Sequence, residues 1–248
     1  EVTKLKLPFN IPYEEIQGDK RYTSPPMYGM REYSQLFNNR QLNFLSITID
    51  TLKEINKKVY RDALKAGFNN GEDDLLNNGT GARAYAQAIS IYLSLAVSHL
   101  IRYYCTLTTW NVTNQNIVQV FGRQALPMVW DYVETNPIYG KITLETVGKW
   151  VTSSLKNVKH SIPGKAFIHD VKLKSDLQNV IISTDPPYYD NIGYSDLSDF
   201  FYVWLKLSLK EIIPDFFKTV LTPKNDEITA IPSRFGNDKE NARKNFEN

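Results

Sequence analysis

The residues best suited to chemistry lie in one run, Val180-Ile181-Ile182-Ser183-Thr184-Asp185-Pro186-Pro187-Tyr188-Tyr189-Asp190-Asn191. Its β-branched opening predicts a buried parallel strand over 180–183. Pro186 and Pro187 fix φ and remove two backbone donors, so no ladder continues through them. The loop that follows carries an acid, free carbonyls and aromatic rings at a strand's carboxyl end, where open α/β sheets bind ligands. A flat heterocycle with an exocyclic amine suits that set. Its ring would stack on Tyr188, a contact of roughly 1–3 kcal/mol per base in nucleic-acid sites. The Asp185 carboxylate and the Pro186 carbonyl only accept hydrogen bonds, so both can take N–H bonds from the amine. Two such acceptors draw the nitrogen toward tetrahedral geometry and localise its lone pair for attack on an electrophilic methyl. No general base is needed before attack, because the proton leaves from a nitrogen already cationic. The plain alternative is a Pro-Pro turn after a strand.

Asp185-Pro186-Pro187-Tyr188 resembles the signature of the S-adenosylmethionine-dependent amino-methyltransferases that methylate adenine N6 or cytosine N4 in DNA. The resemblance goes beyond these four residues: the whole of 185–205 looks like the large adenine-specific DNA methylases. Tyr28-Gly29-Met30, Leu36-Phe37, Arg40-Gln41-Leu42, Phe121-Gly122-Arg123-Gln124-Ala125, Pro127-Met128-Val129-Trp130-Asp131 and Thr222-Pro223-Lys224-Asn225-Asp226-Glu227 are similar to that family in the same order. The matches are scattered across most of 28–245. A similar four-residue motif occurs in RNA guanine-N2 methyltransferases.

The resemblance implies roles. Asp185 and Pro186 would orient and polarise the amine, Pro187 would stiffen the loop, and Tyr188 would stack on a base flipped out of its duplex. Tyr189, Asp190, Asn191 and Tyr194 would line the base pocket. Asp170, at the end of a candidate strand over 166–168, would lie near the adenine of S-adenosyl-L-methionine; a surface acid at a strand end fits it equally. The family also needs a glycine-rich loop after a strand to cradle the cofactor, and no such stretch is present. Asn78-Gly79-Thr80-Gly81 opens a helix, which makes an anion site conceivable, but the strand expected before it is missing. It reads as an ordinary loop-to-helix start. In the resembling proteins the glycine loop lies upstream of the matched segment. The chain starts at Glu1 and stops inside a polar helical pattern. The expectation is therefore a piece of a longer protein, whose upstream segment completes the site.

Composition narrows the classes. The chain has 248 residues, 42% of them hydrophobic, and a formal net charge of +2. That is enough for one large domain or two small ones, and it is no polycation, so any DNA surface must be local. Residues 141–174 hold seven lysines against Glu145 and Asp170; they would suit a phosphate backbone, although a solvated helix face is the plainer account. Cys105 is the only cysteine, and His99, His160 and His169 are scattered. No internal disulfide or multi-cysteine zinc site is possible, no metal is expected, and a reducing, cytoplasmic setting follows. The first residues form no signal peptide. Residues 82–107, the longest apolar stretch, carry Arg83, Gln87, His99 and Arg102, so they read as a core helix and no membrane is expected.

The elements follow from spacing. Residues 1–30 read as an extended lead-in. Leu42, Leu45, Ile49, Leu52 and Ile55 predict a helix over about 38–66 that stops at Gly67. A loop over 68–81 follows, then helices over about 82–108 and 115–133, the last kinked at Pro127. Leu144, Val147, Val151 and Leu155 predict a helix over 143–160. Leu197, Phe200, Phe201, Trp204 and Leu205 predict another over about 195–212, ended by Pro214, and a mixed-charge helical pattern starts at Lys239. The fold class is α/β: a helical region over 31–160 joined to a partial Rossmann-like methyltransferase sheet in a catalytic region over 161–248. The function read from all this is methylation of an exocyclic amine of a DNA base, adenine N6 favoured. The rival readings are an RNA base amino-methyltransferase and a non-enzymatic nucleic-acid or partner-binding module.

Overall fold

The computed structural model describes residues 10–158, 164, 178–185 and 188–247. Helix α1 covers Asn39–Lys65. Its start is a reciprocal cap: Asn38 Oδ1 accepts from the Gln41 amide at 2.9 Å, and Gln41 Oε1 accepts from the Asn38 amide at 2.9 Å. Two orphan donors are thereby satisfied. Its end is set by Gly67 at φ +92°. There the Phe68 amide reaches back to the Ala63 carbonyl and the Gly67 amide to Leu64, the left-handed stop that glycine permits without strain. Leu42, Leu45, Ile49 and Leu52 are buried, as their spacing predicts.

Helix α2 covers Ala82–Ile101, α3 Leu144–Asn157, α4 Tyr194–Leu209 and α5 Lys239–Glu247. α2 packs on α1, α3 and α4. By length and composition it could cross a bilayer; in this fold its buried face includes Gln87, Ser90, Ser94 and Ser98. One hydrophobic cluster joins Leu42, Leu45 and Ile49 of α1 with Val97 and Ile101 of α2 and Phe200, Val203 and Trp204 of α4. The Phe37 ring stands edge-on to Trp204 at 5.2 Å and stacks on Phe200 at 6.0 Å. Residues from the lead-in, the helical region and the C-terminal region thus share one core. The lead-in doubles back on itself, with the Ile16 amide bonded to the Arg31 carbonyl, and buries Ile11 and Ile16 in that core.

Two expectations fail after α2. The helix ends at Ile101, not near 108, and the helix expected over 115–133 is absent. In its place β1, Thr109–Asn111, pairs antiparallel with β2, Asn116–Val118, with Asn111 opposite Asn116. The Asn111 side chain accepts from the Asn114 amide, and Gln115 takes φ +47°, closing the turn. Beyond β2 the backbone finds distant partners: Val120 bonds to Arg102, Leu126 to Tyr22 and Val133 to Thr108. A helix would need those same amides, and Pro127 supplies none.

The described residues form a mixed α/β structure whose one sheet is this two-stranded hairpin. The parallel strand expected over 180–183 is not formed. Val180, Ile181 and Ile182 are exposed, Ile181 completely so. No described residue pairs with their backbone, and a strand exists only through a neighbour's N–H and C=O groups. The candidate strand over 166–168 and Asp170, Pro186, Pro187, His160 and His169 lie outside the described residues, as does much of the lysine-rich stretch.

Arg40 forks onto Glu134, with Nε 3.0 Å from Oε1 and Nη2 bonded to Oε2, while Asn38 Nδ2 donates to Oε1 at 3.1 Å. This ties the start of α1 to the segment before α3. Arg40, together with Asn38, outweighs burial and holds the Glu134 carboxyl below its usual range. A carboxylate with a depressed folded pKa adds stability above its unfolded pKa, and that stability is lost as pH falls through the folded value. Glu134→Gln should therefore melt below the parent near neutral pH, and the two melting curves should converge as the pH falls through the carboxylate range. A gap that persists unchanged in acid would mean the charge contributes nothing.

Candidate functional site

The loop from Tyr188 into α4 is held by side chains from three distant segments. Tyr189 adopts φ +55°, a left-handed conformation that costs an ordinary residue about 1–2 kcal/mol. The turn closes with the Asn191 amide on the Tyr188 carbonyl at 3.0 Å. The Tyr189 carbonyl accepts from the Ala230 amide at 3.1 Å and from Thr229 Oγ1 at 3.0 Å. Tyr22 Oη donates to the Asp190 carbonyl, and Arg21 Nη1 lies 3.3 Å from Asp190 Oδ2. These contacts are what let the strained residue persist.

Beneath the loop sits a buried charge network on the first turns of α4. The capping residue Gly193 has no side chain to offer, so Glu227 caps the helix from elsewhere: it accepts from the Ser195 amide at 3.3 Å and from Ser195 Oγ at 2.6 Å. Asp196 is 1% exposed; it accepts from Arg234 Nη2 at 3.2 Å and from the Asp19 amide at 3.2 Å. Arg234 Nη1 also reaches Glu227 at 2.6 Å. Asp199, fully buried, is bonded to Lys224 Nζ and accepts from the Thr222 amide at 2.8 Å. Burial pushes the Asp196 carboxyl above its usual range, and Arg234 pulls it back only in part. Gly193 is required by proximity: a Cβ there would lie 2.8 Å from Asp196 Oδ2 and 3.0 Å from the Tyr22 ring.

Above the network the exposed face carries the candidate chemistry. Tyr188 and Tyr194 are each about half exposed, with ring centroids 6.2 Å apart and edge to face. Asp185 is exposed. The Tyr194 phenol is pushed above its ordinary value, first by desolvation and then by Tyr188, Asp185 and Glu227 around it. The structure thus brings the Tyr188 and Tyr194 rings together, with the exposed Asp185 close enough for its charge to be felt at the Tyr194 phenol. It gives Tyr189 and Asp190 other contacts: the Tyr189 ring stands edge-on to Phe246 of α5 at 4.9 Å, and Asp190 anchors the loop to Arg21 and Tyr22. The Asn191 side chain is exposed.

The residues that hold this loop were missed from sequence. Asp196, Asp199 and Arg234 carried no role, although two acids inside an otherwise apolar helical stripe were a usable signal. Lys224 and Glu227 were noted only as part of a resembling motif; their job is to neutralise and cap α4.

Gly79 and Gly81 are glycines because their own loop packs tightly against them, and the Gly79 amide is bonded to the Asp74 carbonyl within it. A Cβ at Gly79 would lie 2.2 Å from the Asp73 carbonyl oxygen, and one at Gly81 would lie 2.3 Å from Asn69 Oδ1. The loop's own atoms fill that space, and no strand precedes it among the described residues. Nor do the described residues include a group of three or more His, Cys, Asp or Glu placed to hold a metal ion. No family model, curated protein or solved structure matches the chain.

Removing one member of a buried ion network leaves the other charges uncompensated, at a cost of about 3–5 kcal/mol. Arg234→Met should destabilise the chain by that order near neutral pH, measured by chemical denaturation. An acid with a raised folded pKa favours the folded state below its unfolded pKa and loses that contribution as pH rises. The deficit of Arg234→Met should therefore shrink as Asp196 protonates at low pH. A deficit below about 1 kcal/mol, the worth of an exposed pair, would show that the network does not hold the helix start.

Proposed function

We propose that the chain forms the base-accepting part of an S-adenosylmethionine-dependent DNA amino-methyltransferase, with adenine N6 as the favoured acceptor. The observation that supports it is the pair of half-exposed rings, Tyr188 and Tyr194, flanking a clamped turn, with the exposed Asp185 near enough for its charge to act on the Tyr194 phenol. A flipped adenine stacks on Tyr188. Asp185 and the Pro186 carbonyl accept its two amine protons' hydrogen bonds and draw the nitrogen out of conjugation with the ring. Tyr194 walls the other side. Because the clamp fixes the turn that carries Tyr188 in advance, little reorganisation of the stacking ring is needed when the base arrives.

The methyl donor in this reading is S-adenosylmethionine, and the described residues do not fit it. Its carboxylate, amine, ribose and adenine need strand ends and a glycine turn at a helix start. The glycines at 79 and 81 are already filled. What these residues do is bind and orient the amine. The finer fold is part of the same proposal: 180–183 would become a strand of a Rossmann-like sheet once an upstream segment of the same protein supplies its neighbour. Leaving Val180, Ile181 and Ile182 in water forgoes about 1.5–3 kcal/mol for each side chain that could be buried, which favours such a sheet.

Two measurements test this. In titrations of a single-stranded oligonucleotide carrying one fluorescent base analogue, Tyr188→Phe should bind like the parent and Tyr188→Ala should lose roughly 1–3 kcal/mol. In the same format, the parent should prefer adenine to purine lacking the exocyclic amine, and Asp185→Ala should lose that preference. Equal damage from Phe and Ala, or an intact preference in Asp185→Ala, would remove the mechanism. Calorimetry should show no tight binding of S-adenosylmethionine to this chain alone; micromolar binding would mean that the described residues hold the donor after all.

A further inference from the structure

The groove between α2 and α3 has no part in the proposed reaction, yet it has the chemistry of a site. It encloses about 610 Å³, within the roughly 300–1,000 Å³ typical of small-molecule pockets. Leu95, Trp150, Val151 and Leu155 give it apolar walls, and Val147 lies buried beneath. Leu95 and Trp150 remain 48% and 40% exposed. At one end stands a cation. Arg102 Nη2 lies 2.7 Å from His99 Nε2, and Arg102 Nε is buried without a hydrogen-bond partner among the described residues. The guanidinium also lies over the Tyr103 ring at 5.2 Å. None of the described residues lining the groove is acidic.

A guanidinium set among apolar and aromatic side chains without an anion is costly, because desolvation is not offset by a paired charge. The carbonyls at the end of α2 favour a cation there, but among the described residues no carboxylate pairs with Arg102. His99 is pushed below its ordinary value by burial and by Arg102, so it accepts a hydrogen bond and brings no negative charge. A carboxylate matches the guanidinium fork in geometry and charge. The groove's volume and its indole and phenol rings suit a flat hydrophobic body. We propose that this groove binds a small planar aromatic carboxylate, its ring against Trp150 and Leu95 and its carboxylate on Arg102.

Calorimetric titration of the 248-residue chain with 2-naphthoate and with the neutral 2-naphthylmethanol tests this. The acid should bind at least ~10-fold more tightly than the alcohol, the effect of one charge-assisted pair. Arg102→Gln should bring the acid down to the alcohol's affinity. Trp150→Ala should weaken both ligands. Val151→Glu places a competing carboxylate in the groove and should weaken the acid at least ~10-fold by occupying the guanidinium. Circular dichroism checks each variant; if Arg102→Gln does not fold, Val151→Glu and Trp150→Ala decide the matter. Equal affinity for acid and alcohol, no binding of either, or a preference for the acid that survives Arg102→Gln or Val151→Glu would overturn the assignment.

Discussion

Two carboxylates taken out of water at the start of α4 constrain everything around them. Asp196 and Asp199 are both buried, and burying one ion costs several kcal/mol unless a partner of opposite sign meets it. Arg234 and Lys224 must therefore lie against α4, which forces the whole of 222–234 to wrap around the helix start. That wrap carries Thr229 and Ala230 to the Tyr189 carbonyl, and it brings Glu227 to the open amide of Ser195. Such a network need not add net stability over apolar residues of the same shape. What it supplies here is register: three carboxylates and two cations leave few arrangements in which none is stranded.

The apolar core and the charged network meet on the same helix. Phe200, Val203 and Trp204 lock one face of α4 against α1 and α2, while Asp196 and Asp199 lock its first turns to the C-terminal segment. A helix fixed at both levels is a rigid base for the loop in front of it. Tyr188 and Tyr194 keep their rings exposed because neither belongs to the core or to the network; the residues between and below them do the anchoring.

The loop is organised from one side only. From Tyr189 onward every turn is tied to a distant segment, whereas 180–185 carries three exposed β-branched side chains and no backbone partner among the described residues. An apolar run that could be buried on both faces belongs in a parallel sheet. The contrast is between a clamped carboxyl side and an unpaired amino side of the same loop.

The sequence alone determined the elements whose signals are local. Gly67 ends α1, and the spacing of Leu42, Leu45, Ile49 and Leu52 names its buried face; α3, α4 and α5 were legible for the same reason. Asp185 and Tyr188 stood out in the sequence because an acid, two prolines and an aromatic ring stand side by side, and the chemistry assigned to them is part of the proposal. Only the tertiary structure decided the rest. Residues 109–118 became a hairpin, and 119–133 lost its helix, because their amides found partners at Arg102, Tyr22 and Thr108. The strand at 180–183 failed for want of a neighbour. The Asp19–Asp196 contact spans 177 positions and Asp196–Arg234 spans 38. Such pairs leave no periodic trace in the chain, because what selects them is the cost of burying a charge, and burial is settled only when distant segments meet.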